Sequence, residues 1–308
     1  MIGKRGRKDV QEFGRNLMAN LISLYQDLAA KTYQHSAYKM FMINDPKRRI
    51  IHKVAVRDRV LHRAIYRILY HNFDRRFIHD SYSCRNGKGT HKALDRFQKF
   101  SWQLSRNNTR RVWVLKCDIG KFFASIDHII LLGLISKHIP DKDVNWLIGK
   151  VIDSFHSTKS DQGLPLGNLT SQLFANVYLN ELDQFIKHQL KVKYYIRYAD
   201  DFAILSHDRN YLGQLLLWVR EFLAEKLKLD LHPDKAFIKT LSLGVDFLGW
   251  THFPSHRVLR MVTKKRMFRK IELDSRSEVV RSYLGLLEHG NGKKLQNTIA
   301  IYNQTVLS

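Results

Sequence analysis

Three aspartates stand where a carboxylate has uses beyond capping. Asp200 and Asp201 are adjacent within Tyr195-Ile196-Arg197-Tyr198-Ala199-Asp200-Asp201-Phe202-Ala203-Ile204-Leu205. The flanking runs are aromatic and β-branched, which predicts a strand, a tight turn carrying Asp-Asp, and a return strand. Two carboxylates at a hairpin tip repel each other unless a cation lies between them. Asp118 ends Val112-Trp113-Val114-Leu115-Lys116-Cys117-Asp118, an apolar run that predicts a buried strand. It caps nothing nearby, and a buried, unpaired carboxylate is costly, so a metal is the leading explanation. Asp127 and Asp141 differ: they precede helical stretches at 128–139 and 142–155 and are predicted to be N-caps. Neighbouring strands in one sheet would bring Asp118, Asp200 and Asp201 together. Such a trio suits two magnesium ions, with manganese as a substitute, better than it suits acid–base work. Two ions about 4 Å apart clamp the attacking and leaving oxygens of an in-line phosphoryl displacement. The chemistry indicated is nucleotidyl transfer or nucleic-acid hydrolysis.

A polyanionic substrate is consistent with the charge. The chain has 308 residues, with 52 Lys+Arg against 28 Asp+Glu, a formal net charge of +24. That excess points to nucleic acid before membrane, although a generic basic protein such as a ribosome-associated factor would share it. Hydrophobic residues are 44% and aromatics 11%, which excludes a disordered tail and allows more than one sub-domain. The two cysteines, Cys84 and Cys117, have no Cys or His beside them at zinc-site spacing. No metal–thiolate site or disulfide framework is indicated, and a reducing cytoplasm is the natural compartment. No apolar run reaches the length of a membrane span; Ile129 to Ile135 is too short. The basic start, Met1 to Lys8, is followed by no apolar signal core and is read as a phosphate-binding or disordered arm.

The elements that must position the carboxylates can be read in order. Phe13, Leu17, Leu21, Leu24 and Leu28 predict one amphipathic helix over 9–31 with Asp9 as its N-cap. Residues 38–52 predict a hairpin whose tip carries Lys47, Arg48 and Arg49, either an ordinary solvated turn or a holder of phosphate. A helix over 55–70 has Val56, Val60, Ala64 and Ile68 on one side with Leu61, Ile65 and Leu69. Its Arg57, Arg59, Arg63 and Arg67 are either a solvated face or a track for a nucleic-acid backbone. Arg85, Gly87, Lys88 and Gly89 form a loop before a helix starting at Lys92, a weak phosphate signal. Residues 161–172 predict a loop leading into a long helix, a flat surface for a base pair or sugar. A helix over 208–227 and a strand, turn and strand around Pro233-Asp234-Lys235 follow. Val245–Trp250 is a further strand and turn, and beyond Thr251 the chain becomes basic, with helices at 263–272 and 277–288.

Five motifs in order then resemble reverse transcriptases: Lys116-Cys117-Asp118-Ile119-Gly120-Lys121-Phe122-Phe123; Gly163-Leu164-Pro165-Leu166-Gly167-Asn168-Leu169-Thr170-Ser171-Gln172; Tyr198-Ala199-Asp200-Asp201; Pro233-Asp234-Lys235; and Phe247-Leu248-Gly249-Trp250. One four-residue match means little, whereas five in order are specific. The resemblance implies an α+β right-hand polymerase: fingers, an antiparallel palm sheet bearing the carboxylates, and a short helical thumb. It places an arm and helix at 1–37, fingers mainly at 38–110, palm mainly at 111–250 and thumb at 251–308. It implies Asp118 and Asp201 as principal metal ligands, with Asp200 and Ile119 alongside, and Lys235 as the proton donor to pyrophosphate. It puts Lys47, Arg48, Arg49, Phe122, Phe123, Leu166, Gly167, Ser171 and Gln172 against the dNTP, with Phe123 as a steric gate against a 2′-hydroxyl. Arg57, Arg63, Arg85, Lys88, Tyr198, Leu248, Gly249, Trp250, Lys264 and Lys265 would contact nucleic acid. The implied partners are template RNA, a DNA primer or cDNA, and dNTPs, with no membrane.

The dNTP-side loop departs from the usual Gln-Gly-x-x-x-Ser-Pro, having Leu166 for the polar residue and Gln172 for the proline. This variant resembles the reverse transcriptases of diversity-generating retroelements, which copy a template RNA with errors at adenines in mutagenic retrohoming and work with a small basic accessory protein. Loss of a polar anchor would loosen discrimination. Phage-defence, group II intron-like and CRISPR-linked enzymes share the chemistry, and a non-catalytic RNA-binding scaffold is the reading from another class. No RNase H signature follows residue 250.

Overall fold

A computed structural model describes residues 5–44, 48–274 and 276–307. Along the chain lie α1 (Lys8–Arg15), α2 (Leu17–Ala29), the hairpin β1 (Lys39–Ile43) and β2 (Arg49–Lys53), α3 (Val56–Asp74), α4 (Thr90–Leu104) and β3 (Trp113–Asp118). Then come α5 (Phe122–Ser125), α6 (His128–Ser136), α7 (Lys142–Ile152), α8 (Leu169–Gln184), β4 (Tyr195–Tyr198), β5 (Asp201–Ser206) and α9 (Arg209–Leu227). The remainder is β6 (Phe237–Thr240), β7 (Val245–Phe247), β8 (Trp250–His252), β9 (Arg257–Leu259), α10 (Met261–Leu273), α11 (Ser277–Leu287) and α12 (Lys293–Leu307). The chain divides into two compact units: Met1–Ile78 with Ile119–Phe185 and Phe222–Asp230, and His79–Asp118 with Ile186–Glu221 and Leu231–Ser308.

In the first unit, α3 packs on α8, and α6 packs on both α7 and α8. Helix α3 buries Val56, Leu61, Ile65, Leu69 and Phe73, so of the predicted apolar side the part through Val56, Leu61, Ile65 and Leu69 is the buried one, while Ala64 and Ile68 are exposed. Two apolar stripes compete on this helix. The buried stripe also carries Asp58 and His62, and both are satisfied: Asp58 accepts from Tyr33 Oη at 2.8 Å and from the Ser36 N–H at 3.2 Å. His62 Nδ1 pairs with Thr170 Oγ1 of α8 at 2.9 Å. Those bonds can form only with that face inward.

The single helix predicted over 9–31 is two, broken at Asn16. Asp9 is not an N-cap, since Arg7 holds that position. Its carboxylate binds Lys53 at 2.7 Å and Arg59 at 2.6 Å, and these bonds hold its carboxyl below the usual range. Asp127 and Asp141 do cap: Asp127 accepts from Ile130 N–H, and Asp141 from Asp143 and Val144 N–H. Helix α8 begins at Leu169, so Thr170, Ser171 and Gln172 lie in its first turn, not in the predicted loop.

The second unit holds a four-stranded antiparallel sheet in the order β4-β5-β3-β6 and a three-stranded antiparallel sheet β7-β8-β9. One core joins them. Leu94, Phe97 and Phe100 of α4 meet Ile196, Ala203 and Leu205 of the larger sheet, Phe247 and Trp250 of the smaller, and Met267 and Ile271 of α10. Helix α12 was not predicted from the sequence; it buries Ile299 in the same core. Mixed helices with wholly antiparallel sheets are the α+β architecture expected from the sequence. Among the described residues no helix is long and apolar enough to cross a membrane.

Candidate active site

Strand register decides which residues of the second unit meet. β3 pairs with β5 so that Asp118 lies opposite Asp201, Cys117 opposite Phe202 and Lys116 opposite Ala203. β4 pairs with β5 on its other side, Tyr198 opposite Asp201. The connection between them is the two residues Ala199 and Asp200, and Ala199 has φ +54°. A left-handed non-glycine residue costs about 1 kcal/mol or more and persists only where its surroundings hold it. Here Arg197, fully buried, donates from its guanidinium to the Ala199 carbonyl at 3.1 Å. The Arg197 backbone is itself fixed: its N–H donates to the Asp80 carbonyl and its carbonyl accepts from the Tyr82 N–H, each at 3.0 Å. Asp80 in turn accepts two bonds from Arg96, at 2.7 and 3.2 Å. Thr90 of α4 donates to Tyr198 Oη at 3.1 Å. The Asp-Asp turn is therefore braced from inside the unit.

Asp118 is not the unpaired carboxylate expected from the sequence. Lys235 Nζ donates to Asp118 Oδ1 at 2.8 Å. Lys235 ends a short 3-10 turn (Pro233–Lys235), capped by His232, whose own N–H donates to the Asp118 carbonyl at 2.7 Å. Lys116 Nζ donates to Asp201 Oδ1. Lys116 is almost wholly buried, and that burial pushes its ammonium down to about 8. The side chains of Asp118 and Asp201 keep 22% and 25% of their surface exposed, so oxygens remain open to a ligand. The donors are hard carboxylate oxygens, Asp118 and Asp201 on strand ends and Asp200 in the turn, and the first two already face a lysine ammonium. This set fits magnesium or manganese rather than a thiophilic metal.

The residues predicted on the nucleotide side lie in the first unit, apart from Lys47, which is outside the described residues. Arg48 and Arg49 are exposed at the hairpin, where Arg49 faces Ile43 across the strands. Ile119 and Phe122 are buried and Phe123 is half-buried. The Phe123 carbonyl accepts from Leu164 N–H at 2.7 Å, and the Leu166 carbonyl accepts from His52 N–H of β2 at 3.0 Å. Gly167, with φ +104°, sits so close to β2 that an added Cβ would lie 2.7 Å from Ile51 Cγ2. Ser171 is buried and Gln172 half-buried. Thus Phe123, the 164–167 loop and the hairpin form one hydrogen-bonded surface.

The predicted nucleic-acid contacts are dispersed. Arg57 pairs with Asp27, and Arg63 is exposed over the Tyr66 ring. Arg85 donates to the Ser81 carbonyl at 3.0 Å and Lys88 to the His79 carbonyl at 2.8 Å, so both fold back on their own loop. Leu248 and Gly249, with φ +49° and +85°, make the two-residue turn between β7 and β8, a twist-matched hairpin turn. Trp250 is buried in the core under Arg257. Lys264 is half-buried and Lys265 exposed on α10. Lys116 and Arg197 were not singled out from the sequence. The available signal was a cation inside each apolar strand run, where burial demands a partner.

The sequence pattern of the family described as Reverse transcriptase (RNA-dependent DNA polymerase) matches residues 43–252, more than half of the chain. The chain belongs to the reverse transcriptase family. It is 26% identical over 244 residues to Protein YkfC of Escherichia coli K12, covering 67% of this chain and 62% of that protein. It is 26% identical over 319 aligned residues to the Group II intron-encoded protein LtrA of Lactococcus lactis subsp. cremoris, covering 79% of this chain and 50% of LtrA. The chain thus spans half to three-fifths of these relatives' lengths. Among solved structures it resembles telomerase from Candida albicans in complex with a fragment of telomeric RNA, with a TM-score of 0.57 and 11% identity over 91% of this chain and 59% of that one. Apo telomerase from Candida tropicalis gives a TM-score of 0.56 and 11% identity over 77% and 52%. At that identity the likeness is one of fold, and the fold is that of the right-hand polymerases.

Proposed function

We propose that this protein is an RNA-directed DNA polymerase, extending a DNA primer on an RNA template with dNTPs. The observation that carries the reading is the cross-strand pair Asp118–Asp201, each carboxylate held by a lysine, inside the region matching the family. Asp118, Asp201 and Asp200 are the residues that would hold two Mg²⁺ ions, which when bound lower the pKa of the primer hydroxyl and neutralise the triphosphate. Lys116 fixes the position of the Asp201 carboxylate. Lys235 Nζ, next to Asp118, carries the proton that a leaving pyrophosphate needs. Arg48 and Arg49 are assigned to the triphosphate and Phe123 to exclusion of a 2′-hydroxyl. Segments 38–110, 111–250 and 251–308 are assigned to fingers, palm and thumb. Primer extension with an RNA template, dNTPs and Mg²⁺ tests the reading. Product from the wild type and none from Asp201→Ala supports it; equal product from both, or none from the wild type, overturns it.

Within that class we assign the protein to the diversity-generating retroelements, with a small basic partner protein and error-prone copying. Leu166 and Gln172 support this. The alternative is a group II intron-type enzyme, favoured by similarity to LtrA over 79% of this chain. Sequencing the copurifying RNA and its cDNA separates them: adenine-directed errors support the first, and faithful copies of an intron RNA the second. Leu166→Gln is expected to raise fidelity in the first case and to leave it unchanged in the second.

A further inference from the structure

We propose that the first unit carries a separate metal site, for a zinc-class divalent ion, formed by His128, His156 and Asp161. One ligand atom from each lies within 4.8 Å of the others, the one such grouping of His, Cys, Asp and Glu among the described residues. The carboxylates Asp118 and Asp201 take no part in it.

The argument rests on His128. Its ring, at the start of α6, is only 2% exposed. Nε2 lies 2.7 Å from the Gly163 carbonyl, an oxygen that can only accept, so Nε2 carries the proton. Nδ1 then bears a lone pair, and it is buried with no hydrogen-bond partner. A buried nitrogen left unpaired costs on the order of a hydrogen bond and calls for an explanation. A ring whose far N–H is tied to a backbone carbonyl while its other nitrogen is open is the arrangement of a metal-ligating histidine. Asp153 Oδ1 lies 3.8 Å from that nitrogen, beyond hydrogen-bond range, and is not among the three grouped ligands.

The other ligands are already gathered. The His156 and His128 rings lie 5.4 Å apart. His156 Nδ1 accepts from the Asp161 N–H at 3.1 Å, and the His128 N–H donates to the Asp161 carbonyl at 3.0 Å. His156 and Asp161 are exposed, so both can rotate inward, and water can take over the Asp161 N–H when His156 turns to the metal. Tetrahedral ligands at about 2.1 Å from zinc stand about 3.4 Å from one another, a small contraction from the present spread. Two imidazoles with carboxylate oxygen select zinc over magnesium, which prefers an all-oxygen set.

The site would act as a clasp. It joins the start of α6, the segment leaving α7 and the turn at Asp161. Between them, Ser157 N–H donates to Gln162, Gly163 N–H to Ile126 and Leu164 N–H to Phe123, at 2.8, 2.8 and 2.7 Å. A metal there would order the chain that leads directly into Leu164–Gly167.

The test uses the full chain, stripped with chelator and titrated calorimetrically with zinc chloride in excess Mg²⁺. One zinc per chain is expected in the wild type. His156→Ala and Asp161→Asn, both at exposed positions, are expected each to weaken binding at least tenfold. Asp118→Asn/Asp201→Asn is expected to leave it unchanged. Cobalt substitution should give tetrahedral absorption bands that both ligand variants lose. Unchanged zinc affinity in both ligand variants, loss of zinc only with the Asp118/Asp201 variant, or no zinc bound by the wild type overturns the proposal.

Discussion

Lys116 and Asp201 form the pair on which both stability and chemistry turn. Lys116 is 6% exposed, so its ammonium depends on the carboxylate it faces. Removing one partner of such a pair strands a buried charge and costs about 3 kcal/mol. Asp201→Asn is therefore expected to lower unfolding free energy by that order in urea titrations, and Lys116→Met added to it to restore most of the loss. Lys116→Met alone should cost less, because Asp201 can turn to water. This cycle separates loss of activity through chemistry from loss through the fold. The sequence made Asp118, Asp200 and Asp201 legible, because carboxylates at the ends of apolar strands have few structural uses. It did not reveal that Lys116 and Lys235 neutralise two of them. Lys235 lies 117 positions from Asp118, and the pairing of β6 with β3 together with the His232–Asp118 backbone bond, both products of folding, brings it back.

At the scale of elements, two contacts of the first unit define what the hairpin and helices hold. Gly167 combines φ +104° with the close approach of Ile51. Gly167→Ala meets both strain and overlap and is expected to cost about 1–3 kcal/mol, read from thermal or urea melts. Smaller destabilisation would mean that β2 moves freely off the loop. His62 joins α3 to α8 through Thr170, and burial, with His35 beside it, pushes its pKa from 6.5 down to about 4. The folded protein then binds fewer protons than the unfolded chain between those values. The stabilising effect of the neutral ring is complete above pH 6.5 and is lost as pH falls toward 4, by about 3 kcal/mol in all. Stability measured against pH should fall across that window, and His62→Gln should flatten the fall. Helix existence was legible here from apolar spacing, and so were the Asp127 and Asp141 caps. The inward face of α3 was legible through Val56, Leu61, Ile65 and Leu69, but the exposure of Ala64 and Ile68 was not, because the choice between its stripes depends on partners for Asp58 and His62 that come from distant segments. The break at Asn16 was not legible either, since the leucine spacing runs through it.

For the whole molecule, the sequence reading divides the chain into consecutive stretches, whereas each compact unit gathers three separated ones. Local propensity gives no information on such returns, because they are fixed by strand pairing such as that of β3 with the distant β5. Net charge is legible without any fold, and it yields the prediction that tests the polyanion reading most broadly. A chain carrying +24 that neutralises roughly six or more RNA phosphates should lose on the order of 10³-fold in affinity between about 50 and 200 mM salt. Fluorescence anisotropy with a labelled RNA, plotted as log affinity against log salt, gives the slope. Lys264→Glu/Lys265→Glu on α10 should make that slope shallower by about one to two units, since each lysine that no longer meets a phosphate leaves about one counterion in place. The residual preference for one RNA over another at fixed salt should survive the change, because phosphate contacts position a nucleic acid without reading it. A slope unaltered by the double variant would remove α10 from the RNA-binding surface, and a near-zero slope in the wild type would detach the basic surface from nucleic acid altogether.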